Sequence, residues 1–403
     1  MPNKIDSSAT QARYDYADIL IAVVTGLMFV HVTLFLCTLP LAEKMAGGSD
    51  FVAYWATGQQ LAHHANPYDQ NAMIRIEHGA GLPDAYQVGF MRNPPWGLLL
   101  ALPLGYVGLR VGALLWSLFL LACHLSSVRA LWRLHGKPNN CIHWIAASFA
   151  PALICLMIGQ TSVIVLLGFT LFLRMHRSRP FLAGLSLWLC TLKPHLFLPI
   201  GAVLLAWILV SRSYKLLAGA IVALAASCAA VTCLDPAAWF DYAQMMRTTG
   251  IENEQIPCLS VMLRLWLSPH AMWLSYLPTA LACLWALGYF WPRRNAWNWN
   301  RDGGLVLLLS LLTAPYAWIC DGAVAIPALL QGAYLTRSRI LLAVLALASL
   351  LIEVELLLSI KLSSTAYLWT APAWLAWYLL ATRASTTQST DSRGNGVQTA
   401  DLL

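Results

Sequence analysis

Uninterrupted apolar runs of about 15 to 24 residues recur from one end of this 403-residue chain to the other. That is the length a helix needs to cross a hydrocarbon core of about 30 Å. With 59% hydrophobic and 11% charged residues, the composition leaves too little polar surface for two or three soluble domains of ordinary make-up. A membrane barrel would show short segments of alternating hydrophobicity instead. The chain therefore reads as an all-α polytopic integral membrane protein.

The runs fall at residues 17–40, 107–130, 141–158, 161–174, 180–192, 196–211, 214–233, 271–291, 304–320, 322–336, 339–360 and 366–382. This predicts about twelve spans, within a range of ten to thirteen, with those starting at 161, 180 and 322 short enough to be broken helices. Residues 1–16 read as a polar cytoplasmic tail, 17–383 as the transmembrane domain, and 384–403, rich in Ser, Thr, Gln, Asp and Gly, as a disordered cytoplasmic tail. No cleavage site follows the first run, which predicts an uncleaved first helix.

Alternate loops sort by charge. Arg129, Arg133, Lys137, Arg174, Arg177, Arg179, Arg212, Lys215, Arg293, Arg294, Arg301, Arg337 and Arg339 share one side, which marks it as cytoplasmic. The long loops 41–106 and 234–270 then lie outside with most of the acids, and both termini inside. The net charge of +7 is an imprint of topology and implies no nucleic acid partner. The ten cysteines are scattered without a CxxC and read as small buried hydrophobes.

The polar clusters that look chemically purposeful all fall on the outer face. "GGSDFVAYWATGQQLA" at 47–62 predicts a helix begun by Ser49 or Asp50, amphipathic through Phe51, Tyr54, Trp55, Gly58 and Leu61 and lying flat on the outer leaflet. Asp50 is either a plain cap or a base; a helix N-terminus keeps a carboxylate ionised, so the two are compatible. "MRNPPWGLLLALP" is too short to span and predicts a re-entrant hairpin, with Arg92 at its mouth as a headgroup anchor or a phosphate ligand. "IGQTS" puts Gln160 in a tight turn, and "LKPH" puts Lys193 and His195 at a boundary where a cation is costly without a partner. Asp321, in "PYAWICD", is a helix cap or a site residue. Glu353 and Glu355 form an acidic pair near the outer end of an apolar span, read as an ion path or as helix-end solvation. Dinucleotide, P-loop, zinc-protease and serine-hydrolase motifs are missing.

Taken in order, "SDFVAYWATGQQLAHHANPYD", "FMRNPPWGLLLALPL", "IGQTSVIVLLGF", "LKPHLFLPI" and "LTAPYAWICDGAVAIPALL" resemble glycosyltransferase family 87, over roughly residues 17–340. Asn93 before the double proline and Thr161 after Gln160 depart from the family's usual pattern. The resemblance implies a GT-C type bundle in a bacterial inner membrane, a polyprenyl-phosphate-linked donor, mannose as the sugar, and a glycolipid or glycan acceptor served on the extracytoplasmic face. It places the catalytic acid of the first outer loop at Asp50. On that reading Lys193 and His195, with Arg92 or Arg264, bind the donor phosphate, and Tyr54, Gln160, Tyr316 and Asp321 contact substrate. The flat helix and the hairpin would border a groove for the donor lipid. No cofactor is expected, and no carboxylate cluster argues for a metal. The alternative is a transporter or flippase of a lipid-linked glycan or small solute, which calls for internal repeats and midplane charges that the sequence lacks.

Overall fold

A computed structural model describes residues 16–38, 50–80, 91–248, 256–336, 338–358 and 360–393. Every regular element among them is helical. In chain order these are α1 (Tyr16–Thr38), α2 (Asp50–Ala62) and α3 (Gln70–Gly79), then two 3-10 helices, Pro95–Leu100 and Leu102–Tyr106. Next come α4 (Leu109–Leu134), α5 (Ile142–Ala147), α6 (Ala150–Ile158), α7 (Ser162–Met175) and α8 (Pro180–Leu187). Two more 3-10 helices, Trp188–Leu192 and Pro194–Phe197, lead to α9 (Leu198–Ser211), α10 (Tyr214–Leu234), α11 (Ala238–Thr248), α12 (Leu259–Leu267), α13 (Trp273–Phe290) and α14 (Trp299–Leu312). A 3-10 turn, Ile319–Ala325, precedes α15 (Ile326–Leu335), α16 (Arg339–Leu357) and α17 (Thr370–Arg393).

Five helical stretches among the described residues are long and apolar enough to cross a bilayer: Leu109–Leu134, Pro194–Ser211, Tyr214–Leu234, Trp273–Ala296 and Arg339–Leu357. Shorter apolar helices, including Ile142–Ile158, Ser162–Met175, Pro180–Leu192 and Ile319–Leu335, fill in between them. The chain is a multi-pass helical membrane protein. The stretches at 180 and 322 are broken, each switching between α and 3-10 geometry. Lys193 sits at the first break with Pro194 behind it, and Asp321 within the second. Such interruptions are tolerated at membrane depth only where protein or water satisfies the freed backbone groups.

Two sequence expectations change. Helix α2 has no exposed polar face: Val52, Ala53, Ala56 and Thr57 are as buried as Phe51, Tyr54 and Trp55. It is wedged between the 3-10 pair and α4. Gly58 and Gly105 make this possible, because a Cβ on Gly58 would stand 2.3 Å from the Ala101 carbonyl oxygen and one on Gly105 2.0 Å from that of Gly58. The Trp55 indole donates to Val107 O at 2.9 Å and the Gln59 amide to Gly105 O at 2.9 Å, closing the seam. Residues 95–106 are accordingly a pair of 3-10 turns packed on α2. The second change is at the end of the chain. Helix α17 runs ten residues past 383, through Arg393, the last described residue, with no Gly or Pro to interrupt it over that stretch. The expected tails at 1–15 and 394–403, and Ser49, lie outside the described residues.

Candidate active site

Asp50 opens α2, with its carboxylate in the first turn. What faces it is set by the turn between α6 and α7. Gly159 ends α6 in the left-handed conformation, φ +81°, and a Cβ there would stand 2.5 Å from Phe51 Cβ. Only glycine allows this turn to lie against the start of α2. The Trp116 indole fixes the turn by donating to Gly159 O at 2.8 Å. The next residue, Gln160, accepts from the Thr161 amide at 3.0 Å through Oε1, so its Nε2 is directed at Asp50 Oδ2 and donates to it. Orientation of the amide thus follows from the backbone, and the hydrogen bond holds the carboxylate in place.

The first residue of α7 starts a second polar chain. Ser162 Oγ donates to Asp321 Oδ1 at 2.6 Å and accepts from Lys193 Nζ at 2.9 Å, while Lys193 Nζ reaches Asp321 Oδ1 directly at 2.6 Å. The other carboxylate oxygen, Asp321 Oδ2, accepts from the Trp318 backbone N–H at 2.9 Å. Helix cap and site residue were alternatives for Asp321 in the sequence; one oxygen serves as the cap, and the other bonds Lys193 and Ser162. Lys193 keeps one of its three N–H groups beyond these two partners. Its side chain is 10% exposed and that of Asp321 2%. Burial presses the Lys193 ammonium down, but Asp321 beside it more than offsets that, and Lys193 stays protonated.

The segment 91–96 joins these two groups. Asn93 Oδ1 accepts from the Tyr54 hydroxyl at 3.2 Å, Asn93 O accepts from the Tyr68 hydroxyl at 2.9 Å, and the Trp96 indole donates to Thr191 O at 3.2 Å. Tyr54 also contacts Thr161 Oγ1 at 3.3 Å and packs on Trp116 with ring centroids 5.1 Å apart. Burial holds the Tyr54 phenol up at about 12, so it remains a donor. Arg92 lies on the same segment, within electrostatic reach of Asp50. His195 stacks on Tyr316 with centroids 3.9 Å apart, and both lie within reach of Asp321 and Lys193.

The electrostatic result is a carboxyl of unusual basicity. Burial raises Asp50 from 3.8 to about 6, and Asp321 adds to the rise. Lys193, the Gln160 hydrogen bond and Arg92 pull the other way. A carboxyl tuned in this manner inside a cleft is a functional-site candidate. The structure thus brings together Asp50, Tyr54, Arg92, Gln160, Lys193, His195, Tyr316 and Asp321.

A model of glycosyltransferase family 87 matches residues 90–315, more than half of the sequence. The chain belongs to glycosyltransferase family 87. The matched segment includes Arg92, Gln160, Lys193, His195 and Arg264, while Asp50, Tyr54, Tyr316 and Asp321 fall outside it. No curated protein and no solved structure matches. As a family 87 member the protein is a membrane glycosyltransferase.

Arg264 is placed differently from the other candidates. It is buried on α12, and the contact described for it is Nη1 to Met272 Sδ at 2.6 Å. That helix packs beside Tyr316, Ala317 and Trp318. Ser162 and Asn93 were not singled out in the sequence. A small hydroxyl at the start of an apolar helix was the only trace of the first; the second was visible as a departure from the family pattern, and its role is to tie Tyr54 to the segment carrying Arg92. Among the described residues no three His, Cys, Asp or Glu side chains converge as a metal-binding group.

Proposed function

We propose that the protein transfers a hexose, mannose on the family's pattern, from a polyprenyl-phosphate-linked donor to a hydroxyl of a glycolipid or glycan. Transfer takes place on the extracytoplasmic face of a bacterial inner membrane and inverts the anomeric centre, with Asp50 as general base. The observation that carries this reading is the half-buried Asp50 carboxyl, raised to about 6, clamped by Gln160 and flanked by the cations Lys193 and Arg92.

The sugar phosphodiester is already activated, so the demanding step is making the acceptor oxygen nucleophilic. That oxygen attacks the anomeric carbon opposite the phosphate and its proton passes to Asp50. The sugar–phosphate C–O bond breaks with its electron pair leaving on the phosphate. A positioned base of this kind contributes about 10²- to 10⁴-fold, and it works best when its pKa approaches the working pH. The free N–H of Lys193, with Arg92, receives the charge that develops on the leaving phosphate, in a site dry enough to make that contact strong. His195, stacked on Tyr316, borders the same space.

The test compares purified wild type with Asp50→Asn in detergent, using a panel of polyprenyl-phosphate hexoses as donors and a total lipid extract as acceptor. Loss of transfer by roughly a hundredfold or more, with thermal stability kept, supports the base. Equal rates in the two proteins remove Asp50 from the chemistry. Solute uptake into vesicles with no new glycosidic bond would favour a transporter instead.

A further inference from the structure

The turns that lead into α8 and α10 carry four exposed cations, Arg177, Arg179, Arg212 and Lys215, at the end of the bundle that loop charge marks as cytoplasmic. Among the described residues none of the four side chains has a hydrogen bond or an ion pair. Nor is a carboxylate at hand to neutralise them. No Asp or Glu occurs between Asp84 and Asp235, and the acid of α14, Asp302, is already held by Arg301 at 2.9 Å. We propose that this patch binds the headgroup of an anionic phospholipid that carries two linked phosphodiesters. The inference is independent of the transferase reading.

A backbone crossing draws the cations together. A Cβ on Gly184 would stand 2.0 Å from Leu216 O, and one on Gly219 2.1 Å from Phe181 O. Phe181 and Leu216 belong to the first turns of α8 and α10, so the two helices touch where they begin. Arg179 precedes Phe181 by two residues, Lys215 adjoins Leu216, and Arg177 and Arg212 lie two and three residues further back along their turns. Each turn thereby offers two cations, and an arginine can hold a phosphate through two parallel N–H bonds. A headgroup with two linked phosphates satisfies both turns at once, the second contact gaining from the proximity that the first creates. Beside the charges Leu182 is 41% exposed, Leu209 66% and Tyr214 55%, an apolar flank that suits a ligand with acyl chains.

Arg212 is an independent sign of use. It caps α9 in the left-handed conformation, φ +53° and ψ +33°, which glycine adopts at no steric cost. An arginine kept where the backbone favours glycine points to a role for its charge. Orientation in the membrane calls for cations on this side, but neither for their convergence nor for one at a strained position.

The test measures lipid binding to the full chain in neutral detergent by native mass spectrometry, with thermal unfolding in parallel. The probes are a diphosphatidylglycerol, a phosphatidylglycerol, a phosphatidylcholine and inorganic phosphate. Wild type should bind the two-phosphate lipid at least about tenfold more tightly than phosphatidylglycerol, and phosphatidylcholine more weakly still. Arg212→Gly should weaken that binding by about fivefold, the factor equivalent to the roughly 1 kcal/mol that one Lys or Arg contributes. Without lipid this variant should melt no lower than wild type, since it gives the left-handed position its preferred residue. Arg179→Gln combined with Lys215→Gln should weaken binding by roughly thirtyfold. Arg293→Gln, an exposed arginine just after α13, should leave it unchanged. Unchanged affinity in Arg212→Gly and in the double variant, or an equal loss in Arg293→Gln, would overturn the patch as a site. Inorganic phosphate that raises Tm as much as the lipid does would overturn the lipid as its occupant.

Discussion

The Lys193–Asp321 pair is the site's largest electrostatic feature, and its removal tests whether the pair is there for stability or for chemistry. At 2.6 Å the Coulomb attraction is about 6 kcal/mol at an effective dielectric of ~20. Desolvation of two charges that are 10% and 2% exposed costs several kcal/mol per ion and offsets most of that. The pair as a whole is therefore near neutral for stability, but removing either partner alone strands the other and should cost ~3–5 kcal/mol. For Lys193→Met that corresponds to a fall in Tm of roughly 4–6 °C. Asp321→Asn keeps an acceptor for the Trp318 amide, and the stranded Lys193 can turn to Asp50, so its loss should be smaller. The double variant buries no charge at either position and should lose only ~1–2 kcal/mol, chiefly the Ser162 hydrogen bonds. A double-mutant cycle by thermal unfolding in one detergent then gives a coupling of ~2–4 kcal/mol, with the stable double variant still inactive. Additive losses, or a double variant that is both stable and active, would refute the reasoning.

Transfer by wild type should rise with pH through about 6, as Asp50 ionises. That limb should move up in Lys193→Met and down in Asp321→Asn, because Lys193 lowers the Asp50 pKa and Asp321 raises it; profiles of kcat/KM check both signs. Gly159→Ala must place a Cβ 2.5 Å from Phe51 Cβ at φ +81°. A cost of ~2–4 kcal/mol from strain and overpacking together should appear as a lower Tm, and loss of the Gln160 clamp as an upward shift of the same pH limb. Glu77 is fully buried on α3 with neither oxygen hydrogen-bonded among the described residues, and burial raises its carboxyl from 4.5 to about 7. Because the folded state holds this proton more tightly than the unfolded one, stability should fall as pH rises from about 4.5 to 7. Thermal unfolding of Glu77→Gln should lack that slope, and an unchanged slope would show that other groups set it.

What could be read from sequence was what depends on single residues in their local setting. Helical membrane character followed from the apolar runs, and breaks at 180 and 322 followed from runs too short to span, whereas the similarly short run at 161 forms one unbroken helix, α7. Gln160, Lys193 and Asp321 stood out because a polar group at an apolar boundary is costly without a partner. What could not be read was who the partner is. Lys193 and Asp321 are 128 residues apart and Gln160 and Asp50 110 apart, and no local pattern pairs them. Helix α2 was misread for a related reason. Its apolar face suggested an amphipathic helix, yet Thr57 and Gln60 are buried as well, and only the small size of Gly58 and Gly105 hinted at so close an approach. The glycines were visible as residues, but a close crossing needs both sides, and the second side lies 47 residues on.

Two carboxylates in one buried site usually divide their roles by environment. Asp321 is saturated: a lysine, a serine hydroxyl and a backbone N–H occupy its oxygens. A base so fully bonded has little to gain from a proton and much to lose, since protonation would strand Lys193. Among the described residues Asp50 has one neutral hydrogen-bond donor, Gln160, and on the proposed function the cations near it serve other partners or a departing phosphate. Its second oxygen is the less committed one, and it is the carboxyl with reason to accept a proton. The ion pair also keeps the site from collapsing onto itself: with Asp321 holding Lys193, the ammonium does not close on Asp50 and quench it. On this argument, and on the proposed function, Asp321 positions the cation that would meet the donor phosphate and preserves the basicity of Asp50. Its replacement by Asn should therefore lower kcat more than it raises donor KM, with Asp50 titrating at lower pH, while a merely structural Asp321 would leave that titration where it is.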